Sequence, residues 1–293
     1  MIDRLTAEVA GAFDDAGIDF LVMKGPVIAS WLYPAEVRPY GDSDILVPRR
    51  DWERAAAVLQ RLGFSDYLGP LGHPRMESFA STAYARGDDN VDLHCTLAGL
   101  DAELDAVWPA LAADPDRQVI AGREVAIPAR PAVLMHVALH AAHHGADKPL
   151  EDLRRAIARA DDGLWRRAAE LAEALGGLAA FASGLRLLPE GAAVAARLGV
   201  QDAGSVPFDL RASGVATAEA LHDLLTTQRP PRERLALVLR ELFPSAGFMR
   251  WWTPLARRGR GGLLASYPWR WVWLALRAPR GLLAVRRARR ARG

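Results

Sequence analysis

The chain reads as an α+β protein whose mixed first half gives way to an all-helical second half. Three observations predict this. Up to about residue 128, short apolar runs bounded by Gly, Pro and Asp alternate with amphipathic helical segments. After Pro131 only helical periodicity is left, and from Arg250 onward an acidic chain turns basic. The boundaries expected from these shifts divide the chain into 1–128, 129–249 and 250–293.

In order, residues 3–16 place Leu5, Val9, Ala12 and Phe13 at helical spacing, and Gly17 supplies a stop. Phe20 to Met23 is a short buried strand. Gly25-Pro26 then opens a helix, because Pro at a first helical position gives up no hydrogen bond. Val27, Ile28, Trp31 and Leu32 form its apolar face. Turn formers from Tyr33 to Gly41 lead to a second strand, Asp42 to Val47, ended by Pro48. Arg49 to Leu62 is amphipathic, with Trp52, Ala55, Leu59 and Leu62 on one side. Residues 78–86 and 91–96 flank Gly87-Asp88-Asp89-Asn90 and read as a hairpin. A smaller hairpin is expected around Ala121-Gly122-Arg123. Helices follow at 131–145, 151–160, 163–175, 178–188, 214–227 and 231–242.

The totals exclude several classes. With 293 residues and 51% hydrophobic content the chain has enough material for a proper core. A single cysteine, Cys95, forms no internal disulfide and no Cys-rich zinc spacing exists, so a reducing, cytoplasmic setting is expected. The amino terminus lacks the apolar core of a signal peptide. The net charge of +2 conceals an asymmetry: residues 250–293 carry 12 Arg and no acidic residue, which leaves 25 basic against 35 acidic residues before them.

The chemistry gathers in the first half. The chain has 35 Arg and only two Lys, so a lysine marks a place where a positive charge alone would not serve. Lys24 precedes Gly25 at a strand-to-helix junction, where backbone N–H groups and the positive helix end can meet phosphate. Asp42 and Asp44, two apart on a strand, project from one face about 6–7 Å apart along the chain. A hard divalent cation relieves their repulsion, and Mg²⁺ suits carboxylates and phosphates together. Asp92 and His94 repeat the spacing on a later strand. Three carboxylates converging on two metals can clamp the attacking and leaving oxygens of a phosphoryl displacement. Arg38, in the loop before the aspartates, offers a planar fork for a phosphate oxygen.

These residues also carry a resemblance. Lys24-Gly25, Arg38, Asp42-Ser43-Asp44-Ile45-Leu46-Val47, Asp92-Leu93-His94 and the helix from His136 to His144 resemble the uncharacterised nucleotidyltransferase family of the DNA polymerase β-like superfamily. The resemblance implies a small mixed sheet flanked by helices, with the Asp-x-Asp strand beside a third Asp strand. It implies that Asp42 and Asp44 hold both metals and that Asp92 holds the catalytic one and helps activate the acceptor hydroxyl. The activity implied is Mg²⁺-dependent transfer of a nucleotidyl group from an NTP to a small-molecule or peptide hydroxyl. Where the wider superfamily has Gly-Ser, this chain has Lys24-Gly25, which leaves the manner of nucleotide binding open. A nucleotide-binding regulatory module without turnover is the alternative reading of the same scaffold.

His136, His140, His143 and His144 share most of one helical stripe without a His-Glu-x-x-His pattern. His140 is expected to face the cleft and steer phosphate or acceptor. Residues 250–293 hold five of nine tryptophans among their arginines, with apolar stretches broken by Arg270 and Arg277 before a membrane-spanning length is reached. Such a segment suits an anionic membrane surface, RNA or an acidic partner, or packs as a terminal helix.

Overall fold

The computed structural model describes residues 2–66, 81–144, 146–200, 206, 210, 215, 217–226 and 231–290. Described residues up to Val200 form one compact unit, and those from Val206 onward form a second. The fold class is α+β, with a five-stranded mixed sheet in the first unit and helices in the carboxy-terminal half.

In the first unit, α1 (Ile2–Asp15) buries Leu5, Val9 and Phe13 and ends in Gly17, whose φ of 61° is the left-handed stop that glycine accepts readily. Then come β1 (Leu21–Val22), α2 (Gly25–Leu32) and β2 (Ser43–Leu46). A 3₁₀ turn (Arg49–Asp51) leads into α3 (Trp52–Arg61), which buries Ala55, Val58 and Leu59. After β3 (Ser65–Asp66), β4 (Ser81–Arg86) and β5 (Asp89–His94) form the expected hairpin. Residues 78–80 of its first arm lie outside the described residues.

The turn is tighter than four residues. Arg86 pairs with Asp89, so Gly87 and Asp88 alone make the loop. Gly87 has φ 60° while Asp88 does not enter the positive region. That is the II′ pattern whose twist matches the flanking strands. The second hairpin, β6 (Asp116–Ile120) and β7 (Arg123–Ile127), turns on Ala121 (φ 49°) and Gly122 (φ 87°), both left-handed as a I′ turn requires. Between the hairpins lies α4 (Leu104–Leu111), a helix the periodicity did not indicate because Pro109 sits inside it.

The sheet order is β1-β2-β5-β4-β3, with β2 and β5 parallel and the other neighbours antiparallel. Ser43, Asp44, Ile45 and Leu46 stand opposite Val91, Asp92, Leu93 and His94. Ile45, Leu46, Val91 and Leu93 are fully enclosed, so core packing pins this register.

Helices complete the unit: α5 (Arg130–His144), α6 (Asp147–Arg159), α7 (Asp162–Ala174), α8 (Leu178–Leu185) and α9 (Pro189–Arg197). Nearly every residue of α5 from Ala132 to Ala142 is buried, because α6, α7 and α8 all pack on it. The α5–α8 crossing is close enough to demand glycine: a Cβ at Gly184 would stand 2.0 Å from the Ala138 carbonyl oxygen.

The second unit contains α10 (Ala218–Thr226), α11 (Pro231–Leu242), α12 (Ala246–Trp252) and α13 (Gly259–Arg290). The 32-residue α13 includes Pro268 and Pro279. Its buried Arg270 lies 5.0 Å and 5.2 Å from the Phe248 and Trp252 ring centres and 3.0 Å from a Glu241 carboxylate oxygen. Farther along, Leu210, Ala218, Val285 and Ala288 share a small apolar core. Among the described residues no helix is long and apolar enough to cross a membrane.

Candidate active site

Two of the aspartates meet because their strands are parallel neighbours. Asp44 stands opposite Asp92, and His94 follows two residues later on the same face of β5. His94 Nε2 lies 3.1 Å from Asp44 Oδ1. Atoms of Asp44, Asp92 and His94 able to bind a metal all lie within 4.8 Å of one another. Asp42 sits at the bend just before β2, half-exposed, rather than inside the strand.

Lys24 closes the cluster from the β1–α2 junction. Its ammonium forms an ion pair with Asp44, whose side chain is 2% exposed. The backbone there is strained, with φ 43° and ψ −111° on a non-glycine residue, a conformation that costs on the order of 1–3 kcal/mol and persists only when its surroundings impose it. The surroundings are visible. The Lys24 carbonyl accepts the first bond of α2 from Ile28 at 2.8 Å. At Gly25 a Cβ would stand 2.9 Å from the Tyr40 ring, and the Tyr40 hydroxyl donates to Asp3 at 2.5 Å. Glycine is needed at 25 for this approach, and the fixed junction turns the lysine toward the aspartates.

The two facing carboxylates differ electrostatically. Burial pushes Asp44 up, but the Lys24 charge and the His94 contact outweigh it and hold Asp44 well below the usual carboxylate range. For Asp92, burial and then the Asp44 charge push the pKa up. Lys24 is raised despite its burial because Asp44, Asp92 and Asp42 all favour its charge.

Arg38 is placed differently from a free phosphate ligand. It is buried, and its Nε and Nη2 donate to both oxygens of Asp152 on α6 at 2.8 Å and 2.6 Å, while the Tyr33 hydroxyl donates to the same carboxylate at 2.8 Å. His140, on α5, lies 6.1 Å ring to ring from His136. Burial lowers His136 to about 3; burial and then the neighbouring His136 lower His140 to about 2. Both imidazoles are therefore neutral near pH 7 and can exchange hydrogen bonds with a ligand but not charge.

The sequence analysis did not single out Lys148, in the first turn of α6. Burial and the Arg38 charge lower its pKa, while Asp152, Asp42 and Asp44 act in the opposite sense. The second lysine of the chain thus lies, like the first, within electrostatic reach of Asp42 and Asp44. Its signal was present in the composition, since it is the other exception among 35 arginines. Asp152 carried no such signal, because Glu151-Asp152-Leu153-Arg154-Arg155 reads as an ordinary solvated helix face.

The model of the family described as uncharacterised nucleotidyltransferase matches residues 1–191. The chain belongs to this family. That stretch contains every residue of the site just described, and membership makes the protein a transferase. Three solved structures resemble this nucleotidyltransferase. The solution structure of the antibiotic-resistance factor ANT(2'')-Ia is 17% identical, with 61% of this chain and 96% of that one covered and a TM-score of 0.44. Its crystal structure in complex with adenylyl-2"-tobramycin is 15% identical, with 58% and 97% covered and a TM-score of 0.40. An antigenic nucleotidyltransferase-like protein from Paracoccidioides brasiliensis is 14% identical, with 68% and 93% covered and a TM-score of 0.39. No curated protein matches the nucleotidyltransferase.

Proposed function

We propose that the protein transfers a nucleotidyl group from an NTP to a hydroxyl of a small-molecule or peptide acceptor, with Mg²⁺ held by Asp42, Asp44 and Asp92. The observation that carries this reading is the β2–β5 register, which sets Asp44 against Asp92 beside Lys24. Two of these ligands, Asp44 and Asp92, fit a divalent cation: their donor atoms lie within 4.8 Å of one another, with His94 beside them, and Asp44 is held ionised, while Asp42 stands outside that group at the bend before β2. When bound, such ions neutralise the phosphate charge and stabilise the entering and leaving oxygens.

The chain's own residues supply the rest. Lys24 presents its ammonium and the start of α2 to the phosphates. Lys148 adds a second compact positive charge. Asp92 accepts the proton of the acceptor hydroxyl as that oxygen bonds to the α-phosphorus and the bond to pyrophosphate breaks. Arg38 is anchored by Asp152, and His94 and the neutral His140 offer hydrogen bonds to the substrates. A cytoplasmic setting belongs to the same proposal, supported by the buried free thiol of Cys95.

Incubating the purified protein with α-labelled NTPs, Mg²⁺ and a host metabolite extract tests the reading. Label should move to an acceptor with release of pyrophosphate; nucleotide binding with no transfer under any NTP would leave the regulatory alternative instead.

Two lysine variants sharpen it. Lys24→Ala should weaken NTP binding in titration calorimetry with a non-hydrolysable NTP. Without metal it should also melt below the wild type, since it leaves the buried Asp44 carboxylate without its cation, and Mg²⁺ should raise its melting temperature more than the wild type's. An equal Mg²⁺ response in both proteins would separate Lys24 from the metal site. Lys148→Ala should weaken NTP binding by about tenfold, the scale of one lost charge–phosphate contact, with the melting temperature unchanged. Undiminished affinity would return Lys148 to the solvated surface.

A further inference from the structure

Helix α13 presents two opposed faces. One packs within its own unit through Ser266, Arg270, Gly281, Val285 and Ala288. On the other, Trp269, Val272, Leu276 and Leu283 are 51%, 48%, 68% and 51% exposed. At about 100° per residue these four fall within an arc of about 60°. They form an apolar stripe, while the other exposed apolar residues of the helix, Leu264, Trp271 and Leu282, lie outside that arc. Arg258 and Arg260 precede it, and Arg280, Arg287 and Arg290 fall on the same arc or beyond its far end. All five arginines are exposed.

We infer that this face of α13 docks on an anionic lipid bilayer, lying in the interface without crossing it. The inference is independent of the nucleotidyl-transfer reading. Three observations select lipid. The stripe is aliphatic and aromatic along its middle, where the acyl boundary gains from Val272, Leu276 and Leu283 and the headgroup level accepts Trp269. The flanks carry arginine, which pairs with lipid phosphate, and residues 250–293 contain 12 Arg and no acidic group to repel it. The helix is too polar to span, as an interfacial helix should be. RNA would use the arginines but would gain little from three exposed aliphatic side chains. A second copy of the same face would bring like charges together.

The test uses the full chain and sedimentation with vesicles of phosphatidylglycerol and phosphatidylcholine, against vesicles of phosphatidylcholine alone, at physiological salt. The protein should partition to the anionic vesicles and leave the neutral ones at least about tenfold less occupied. Val272→Glu with Leu276→Glu, both at exposed positions, should lower anionic partitioning by more than about tenfold with an unchanged thermal melt, because the acyl contact is lost and charge repulsion is added. Arg280→Glu with Arg287→Glu should lower it as well. Partitioning that survives the Val272–Leu276 change but fails with the arginine change would show generic electrostatic adhesion and overturn the inference. So would equal binding to neutral vesicles, or none to either. A gel-shift assay with single-stranded RNA is the companion arm: tight RNA binding that ignores the Val272–Leu276 change, beside weak vesicle binding, would assign the face to nucleic acid.

Discussion

Asp92→Asn should keep much of the nucleotide affinity and lose the chemical step by on the order of a hundredfold or more. The reason lies in the pairing of β2 with β5. Asp44 is locked between Lys24 and His94 and is held ionised, so it is the carboxylate suited to hold a nucleotide-bound cation. Asp92 faces it with a raised pKa and no charged partner of its own among the described residues, which suits a group that receives the hydroxyl proton. Asp42→Asn and Asp44→Asn should accordingly lose Mg²⁺-dependent nucleotide binding and turnover together. Measuring affinity and single-turnover rate for all three separates the roles. Near wild-type turnover in Asp92→Asn would move the third carboxylate elsewhere. Asp88, in the hairpin turn, would then be the better candidate than Asp89, which is already engaged with Arg86 at 3.0 Å.

The largest stability effect is expected from Asp152→Ala. Arg38 and Asp152 are 4% and 2% exposed and joined by two hydrogen bonds, so removing the carboxylate strands a buried guanidinium and orphans the Tyr33 hydroxyl. Breaking such a pair costs about 3–5 kcal/mol. Chemical denaturation should show it as a lowered midpoint at constant slope. The double change Arg38→Met with Asp152→Leu should recover most of the loss, because an apolar pair of similar volume removes both desolvated charges. That double variant also isolates the role of Arg38. Restored stability with weakened nucleotide binding would give Arg38 a part in holding phosphate; restored stability with full binding would make it a buried brace behind the site.

Much of this was legible in the sequence. The period of two is local, so the sequence pointed to Asp44 on β2 and to Asp92 and His94 on β5, and an arginine-dominated composition singled out Lys24; Asp42, expected on the strand, falls at the bend before it. No spacing within either strand records that Asp44 and Asp92 become neighbours; the family resemblance alone implied it, and the β2–β5 pairing bears it out. What escaped was other non-local pairing. Asp152 escaped because its pairing with Arg38, 114 positions away, exists only after α6 docks. Helix α4 was hidden by its internal Pro109, and α13, expected as one reading of residues 250–293, runs through Pro268 and Pro279, which punctuate a sequence more strongly than they interrupt these packed helices. In α13 the exposed stripe blurred the usual division into apolar and polar sides, since both faces carry hydrophobic residues.

Parallel strands cannot be joined by a tight turn, so the chain must travel through α3, β3 and β4 before β5 can lie beside β2. Asp44 and His94 are 50 positions apart. During synthesis, therefore, the residues Lys24 and Asp44 emerge while the opposing strand is still unmade. The cluster of Asp44, Asp92 and His94 needs a long loop to close before it exists, which costs chain entropy.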